Sequence, residues 1–210
     1  GEAWTVPEAD SVRVEAGGEQ PYFAAAGHIL DFDWQKRTFR ADRGVNYTSA
    51  YGTGRAASLE VRADGVHHLQ GDEQEPATLL LFPSAAADNT LRGGSFRAQV
   101  IDMHPDWAEA RGQAHLLLAQ GQDVIEARAE LLRVEADPAN EGAPRNIRVS
   151  ADDVEQLELR SPGQTFGFQG KQLRIAAMAF ESGAGDEAKK GFWVESVALQ
   201  GDVTIQGRGG

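Results

Sequence analysis

Apolar and charged residues alternate along most of the chain, and this period of two predicts β-strands with one buried and one solvated face. The clearest run is 124–131, whose apolar face consists of Ile125, Ala127, Ala129 and Leu131. Its other face carries Glu126, Arg128 and Glu130. These residue types also favour helices, so a helix is the alternative for this segment. The continuation 132–136 alternates again, and we therefore predict a strand.

The same alternation recurs at spacings of roughly ten residues, which is typical of β-sandwiches and β-barrels. The runs are 11–15, 58–62, 146–150, 154–159, 194–199 and 203–205. One helical turn is predicted at 105–110, where proline opens the segment and acidic residues follow in its first turn. We predict an all-β, antiparallel fold that occupies residues 1–206 as one domain, followed by a flexible tail at 207–210.

Two kinds of internal repeat extend this prediction. The tetrapeptide Leu-Gln-Gly-Asp ends an alternating run at 69–72 and again at 199–202. A second unit places Ala-x-Gly before an apolar run and a returning apolar-x-Ala, as in 25–41 and 110–127. Each copy is interpreted as strand, turn and strand, with glycine where the backbone bends or another strand approaches closely. We therefore predict stacked strand–turn–strand repeats.

Composition and charge exclude several functional classes. The 210 residues include 32 Asp+Glu against 20 Lys+Arg, a formal net charge of −12. A chain this acidic, with no dense Lys/Arg run, is a poor match for nucleic acid or for an anionic membrane surface. It contains no cysteine, which removes disulfides, thiolate metal sites and cysteine nucleophiles. No apolar run has the length of a membrane-spanning helix, and residues 1–4 do not begin a signal peptide, so we expect a mature or trimmed form.

The repeat unit and the final "LQGDVTIQG" resemble the OstA-like periplasmic proteins of lipopolysaccharide export. The matching stretches are 27–41, 59–72, 96–136 and 168–207. The resemblance implies an open, taco-like antiparallel β-jellyroll whose two sheets enclose an apolar groove for the acyl chains of a lipid. It also implies that edge strands join such modules head to tail, and that the protein works in the periplasm without a cofactor.

Three features depart from that family. The chain is longer than the small bridge protein of the family, with added segments at 73–89 and 183–190. An inner-membrane anchor, as in the tethered member, is expected to lie in a segment missing from this chain. The net charge of −12 is an awkward match to a polyanionic head group, which leaves the identity of the lipid open.

The predicted groove is lined by the dry-face residues of the alternating strands. They are Ile29, Phe39, Leu59, Val61, Phe96, Val100, Leu116, Leu118, Ile125, Leu131, Ile175, Val197, Leu199 and Val203. The alternative is that these side chains fill an ordinary closed sandwich core. Alanines at predicted inward positions, such as 24–26 and 176–177, favour a groove, because empty space inside a protein is costly and an occupant would fill it.

Catalytic and metal sites are not predicted. The five histidines are His28, His67, His68, His104 and His115. Their spacing matches no zinc signature. Asp31 and Asp33 share a predicted strand face at a separation compatible with glycosidase chemistry, but many pairs among 32 acids do so. The sequence has no nucleophile-elbow, phosphate-loop or dinucleotide-binding motif, and we expect no enzymatic activity.

The sequence leaves two ligand-binding hypotheses from different classes, and a third in which the protein is a structural adhesion or scaffold module with no ligand. The first is a non-enzymatic lipid-transport module that holds lipopolysaccharide or another amphiphilic lipid by its acyl chains. The second is an extracellular carbohydrate-binding or carbohydrate-cleaving β-sandwich, which needs aromatic rings exposed on its surface. The candidate rings are Trp34, Tyr47, Tyr51, Trp107 and Trp193.

Overall fold

Fifteen antiparallel β-strands make up the part of the fold that the structure describes. The computed structural model describes residues 12–16, 23–27, 29–33, 35–36, 38–49, 52–85, 91–104, 106–120, 122–137, 145–182 and 189–209. The strands are β1 (Val12–Ala16), β2 (Phe23–Gly27), β3 (Ile29–Asp33), β4 (Thr38–Ser49), β5 (Gly52–Val61), β6 (His67–Gln70), β7 (Ala77–Ala85), β8 (Leu91–Ala98), β9 (Val100–His104), β10 (Trp107–Gln120), β11 (Asp123–Ala136), β12 (Arg145–Ser161), β13 (Gln164–Ser182), β14 (Lys189–Gln200) and β15 (Thr204–Gly209). The all-β, antiparallel, jellyroll-like fold is confirmed. Over these ranges the chain forms no helix of the length and apolarity that a membrane span requires.

Three segments singled out in the sequence have the following structure. The helical turn predicted at 105–110 is wrong, because β10 begins at Trp107 and pairs with β9 and β11. The segment 73–89, expected to be an addition to the family fold, contains β7, which pairs with both β5 and β8. Strand β15 extends to Gly209 and pairs with β13, so it occupies most of the predicted tail.

On one edge, each of β5 and β10 pairs with one strand along part of its length and with a different strand along the rest. The sheet therefore folds over on itself into two layers. β5 pairs with β6 through 58–61 and with β7 through 53–55. β10 likewise pairs with β9 through 107–111 and with β8 through 115–120. We call the layer with β3, β6, β9 and β14 the first layer, and the layer with β1, β2, β7, β8 and β15 the second layer. Strands β4, β5 and β10–β13 run through both.

The long strands pass between the layers at corners that lie beside one another. Register shifts mark the corners in β4, β10, β11 and β12. Arg43 in β4 and Gly112 in β10 have φ of 64° and 76°, the left-handed backbone that some β-bulges require. Gly71 N donates to Gln99 O at 2.8 Å, and Gln99 N donates to Gly112 O at 3.0 Å. These bonds join three neighbouring corners into one ladder.

Both copies of Leu-Gln-Gly-Asp lie at these corners, which explains the repeat. The copy at 69–72 connects β6 to β7, and the copy at 199–202 connects β14 to β15. In each copy Leu-Gln ends a first-layer strand, since β6 ends at Gln70 and β14 ends at Gln200. The glycine that follows then takes the chain into the second layer.

One apolar cluster fills the space between the layers. Paired residues share a face of a sheet, so the register traces rows of inward-facing side chains. One row of the first layer runs through Ala41, Leu59, Leu69, Ile101, Ala110, Leu132, Ala151, Leu173 and Leu199. One row of the second layer runs through Tyr47, Gly54, Leu79, Phe96, Leu116, Ala127, Leu157, Phe168 and Ile205.

Candidate functional site

Six of the predicted groove residues are buried in the apolar cluster between the layers. They are Phe39, Leu59, Phe96, Leu116, Leu118 and Ile175. These side chains belong to one packed core. A bound lipid would therefore reach them only if the two layers moved apart.

A polar bridge crosses this interior. Tyr47 lies on β4 in the second layer and His67 on β6 in the first layer, and both side chains are buried. A hydrogen bond joins Tyr47 Oη to His67 Nδ1 at 2.5 Å, with the rings edge to face. Burial, with a smaller effect from His104, lowers the pKa of His67 below its ordinary value. A neutral His67 therefore ties the two layers together near neutral pH.

The other predicted groove residues have three different environments. Half-buried side chains that pack against the cluster are Val61, Ile125, Val197 and Leu199. Val203 is 42% exposed near the last strand of the second layer. Val100 and Leu131 are displaced to the outer face of the first layer, where both pair with exposed Arg111. Ile29 belongs to β3, but its side chain lies outside the described part of the structure.

The corner in β11 explains why Leu131 does not face inward. Alternation from Ile125 through Ala129 predicts an inward Leu131. At the corner, where the register with β10 shifts between Arg111 and Ala114, Glu130 is exposed and Leu131 is half-buried on the outer face. Leu132 instead has no exposed surface, and it belongs to the inner row of the first layer. The corner therefore reverses which residues of β11 face the core, and strict alternation cannot anticipate it.

The inner face of the second layer is uncovered at its last strands. Along one row Leu157 is buried, its partner Phe168 is half-buried, and Ile205 beyond them is 64% exposed. Phe166 is two residues from Phe168 on the same strand, is 42% exposed, and has its ring centre 6.5 Å from that of Phe168. Val203 adds a further exposed aliphatic side chain. We call Phe166, Phe168, Val203 and Ile205 the terminal apolar patch.

The arrangement of the strands explains this exposure. β14, the last strand of the first layer, approaches β7, β8 and β10 of the second layer, whereas β15 pairs with β13 at the end of that layer. Contiguous exposed apolar surface of this kind marks interaction sites. The predicted groove omits Phe166, Phe168 and Ile205. The apolar spacing of two in 166–168 and 203–205 is a signal that could have identified them.

A buried carboxylate on the first layer holds an ion-pair network. Asp102 Oδ1 accepts a hydrogen bond from His68 Nδ1 at 2.6 Å, and its other oxygen pairs with Arg111. Burial raises the pKa of Asp102, but the hydrogen bond from His68 and the charges of Arg111 and Arg62 outweigh burial and hold that pKa below its ordinary value. The network therefore stabilises an ionised Asp102 and joins β6, β9 and β10.

A similar network lies on the outer face of the second layer. Glu126 accepts hydrogen bonds from His115 Nε2 at 2.9 Å, Arg128 at 3.0 Å and Arg160 at 2.5 Å. Burial raises the pKa of Glu126, and the bonds from Arg128 and His115 together with the charge of Arg160 lower it to a greater extent. The cluster joins β10, β11 and β12 around one carboxylate.

The aromatic residues of the sugar hypothesis are dispersed. Tyr47 is buried in the bridge between the layers. Trp107 stacks on His104 with ring centres 5.8 Å apart, and Trp193 is 57% exposed on β14. Strands β11, β12 and β13 separate β10, which carries Trp107, from β14. Trp34 and Tyr51 lie outside the described residues.

The acidic pair and the histidines of the sequence prediction form no common site. Asp33 Oδ1 accepts hydrogen bonds from Lys36 N at 3.0 Å and Gln35 N at 2.9 Å, and these bonds lower its pKa. Asp33 therefore stabilises the turn between β3 and β4. In the register of these two strands, Asp31 lies opposite Arg40. In the described part of the chain, no three histidine or acidic side chains are placed to hold a metal ion.

Comparisons with known proteins identify no relative. No family model, no curated protein and no solved structure matches the chain. The function is therefore argued from the geometry of the terminal apolar patch and of the surfaces around it.

Proposed function

We propose that the protein is a non-enzymatic module that binds the acyl chains of an amphiphilic lipid, of which lipopolysaccharide is the candidate that the sequence resemblance implies. The observation that carries the proposal is the terminal apolar patch, where Phe166 and Ile205 are 42% and 64% exposed on a face that is buried elsewhere. Such a patch continues the core surface, so an acyl chain laid on it also contacts the half-buried Phe168.

Acyl binding here would follow ordinary hydrophobic energetics. Each methylene removed from water contributes about 0.8 kcal/mol, so several methylenes of one chain suffice for retention. In this proposal the patch receives the first part of a chain, and deeper entry requires the layers to separate.

The free edges at the end of the fold fit the second part of the proposal, assembly with other jellyroll modules. β14 and β15 are the last strands of the two layers. An edge strand presents backbone groups that a strand of another chain can pair with. Transport in the periplasm, along a row of such modules, is the biological setting that this proposal adopts.

Native mass spectrometry of protein purified without detergent from a Gram-negative host tests the lipid proposal. We expect a lipid adduct on the wild type and on Thr204→Glu, which places a charge on the opposite face of β15. The Ile205→Glu variant is expected to lose it, with its fold checked by circular dichroism. A wild type that carries no adduct and refuses added lipid, or an adduct equally retained in Ile205→Glu, would overturn the proposal.

Carbohydrate binding is the alternative function, and the exposed Trp193 favours it. A tryptophan with 57% of its surface exposed offers a ring face on which a pyranose can stack. If this alternative is correct, oligosaccharides will change the tryptophan fluorescence of the wild type and not that of Trp193→Ala. Lipid will then have no effect on either protein.

A further inference from the structure

A cleft of about 640 Å³ lies on the outer face of the second layer and combines two arginines with hydroxyl groups. Arg55 on β5 and Arg97 on β8 are both exposed, and Thr78 on β7 lies between them. Thr53 and the exposed Leu80 also line the cleft. The cleft is on the face opposite to the terminal apolar patch, so it is a separate surface.

The strand register places these side chains together. Arg55 pairs with Thr78, and Thr78 pairs with Arg97, so the three form one cross-strand row on a single face. Neighbouring strands are about 4.8 Å apart, which puts the two arginine Cα atoms about 10 Å from each other. Two flexible guanidinium groups at that separation can converge on one small anion above Thr78.

The two arginines differ from the arginines of the two carboxylate networks described above. Arg128 and Arg160 are bound to Glu126, and Arg111 is bound to Asp102. Arg55 and Arg97 form no ion pair with any carboxylate in the described part of the chain.

The charge around the cleft is mixed but favours an anion. Among the described residues that line the cleft, Glu75 is the one acid, so with Arg55 and Arg97 these residues carry one net positive charge. The chain as a whole has a net charge of −12, whereas this cleft, with its unpaired guanidinium groups, is positively charged.

We propose that this cleft binds a phosphate group, either free or as a phosphomonoester. Guanidinium groups bind phosphate oxygens through paired, charge-assisted hydrogen bonds, and a threonine hydroxyl adds one further donor. Leu80, 45% exposed beside the arginines, offers an apolar contact for whatever the phosphate is attached to. This inference does not depend on acyl binding at the terminal apolar patch.

Titration of the full chain with inorganic phosphate, followed by backbone amide NMR, tests the inference. We expect phosphate to shift the amides of 53–55, 78–80 and 95–97. Arg55→Gln and Arg97→Gln should each weaken binding by about tenfold or more. Arg174→Gln removes an exposed arginine from the first layer and is the matched control, expected to leave phosphate affinity unchanged.

A second titration separates free phosphate from a lipid head group. Dihexanoyl phosphatidic acid below its micelle concentration should bind more tightly than inorganic phosphate if the natural ligand is a head group, and equally if it is free phosphate. Whichever ligand binds more tightly, Arg55→Gln and Arg97→Gln should each weaken its binding. Phosphate that shifts no amide of the cleft, or an Arg174→Gln variant weakened as much as Arg55→Gln, would overturn the inference. Either result leaves the Ile205→Glu lipid test independent.

Discussion

At the scale of single residues, the contact between Tyr47 and His67 has the clearest consequence. The two side chains come from different layers and meet where both are buried, so their hydrogen bond closes the interior at that point. Since burial lowers the pKa of His67, the bridge is formed with a neutral imidazole. Protonation would place a charge in an apolar site at a cost to folding.

The stability of the protein should therefore depend on pH through His67. Its folded-state pKa is lowered, so the unfolded chain binds the proton first as the pH falls below the ordinary value of 6.5. We expect the free energy of unfolding to fall as the pH decreases from about 6.5 toward the folded-state pKa. Urea unfolding at several pH values measures this slope. The His67→Gln variant should show a flatter slope, and an unchanged slope would contradict the assignment.

The glycine of the first Leu-Gln-Gly-Asp copy is required by its surroundings. A Cβ atom on Gly71 would lie 2.5 Å from Ala77 N and 2.6 Å from Pro76 Cα. Both are backbone atoms, which cannot shift without a cost in stability. We expect Gly71→Ala to lower the free energy of unfolding by about 1–3 kcal/mol. Gly167→Ala is the control, because its nearest neighbour, Gln206 O, would be 3.6 Å away. Equal stability of the two variants would show that this corner is not tightly packed.

At the scale of elements, β11 tests the corner at which its inward positions change from Ala129 to Leu132. Leu132 is fully buried in the inner row, whereas its neighbour Leu131 is half-buried on the outer face. Leu132→Ala should cost about 2–5 kcal/mol of stability, as a large-to-small change in a packed core does. Leu131→Ala should cost about 1 kcal/mol or less. Denaturant unfolding measures the stability of the two variants. A larger loss of stability in Leu131→Ala than in Leu132→Ala would show that β11 follows strict alternation.

A feature of the fold can be predicted from the sequence when residues close together in the chain determine it. Alternation predicts β11 and β12 because the two faces of a strand have a fixed period. The switch from Leu131 to Leu132 depends on a corner that β11 turns together with the strands on either side of it. Trp107 shows the same limit, since the local helix signals at 105–110 lose to pairing with β9 and β11.

The candidate site was less accessible to sequence reasoning than the fold. Inward-facing residues such as Phe96 and Leu116 could be identified from alternation, and they are buried. Phe166 and Ile205 show the same pattern but are exposed, because exposure depends on which strands of the other layer lie above them. The cleft between Arg55 and Arg97 likewise depends on register, which brings together residues far apart along the chain.

At the scale of the whole molecule, the two layers should unfold together. Strands β4, β5 and β10–β13 contribute to both layers, and one apolar cluster lies between them. Neither layer can lose its strands without disrupting the other, so we expect a single cooperative transition. Far-ultraviolet circular dichroism, which reports on all strands, and tryptophan fluorescence should give the same midpoint in urea. Two separate midpoints would show that the layers, or the two ends of the fold, are independent units.

The corner ladder also bears on how such a protein can change in length during evolution. From β10 to β14, each strand pairs with the next in the chain, and β10 to β13 pass from one layer to the other at corners that lie beside that of β10. Duplication of one hairpin would insert two strands whose corners continue that ladder, without altering the layers on either side. A shorter relative could arise by the loss of a hairpin in the same way. The fold thus has a fixed cross-section and an adjustable length, as in repeat proteins that grow along one axis.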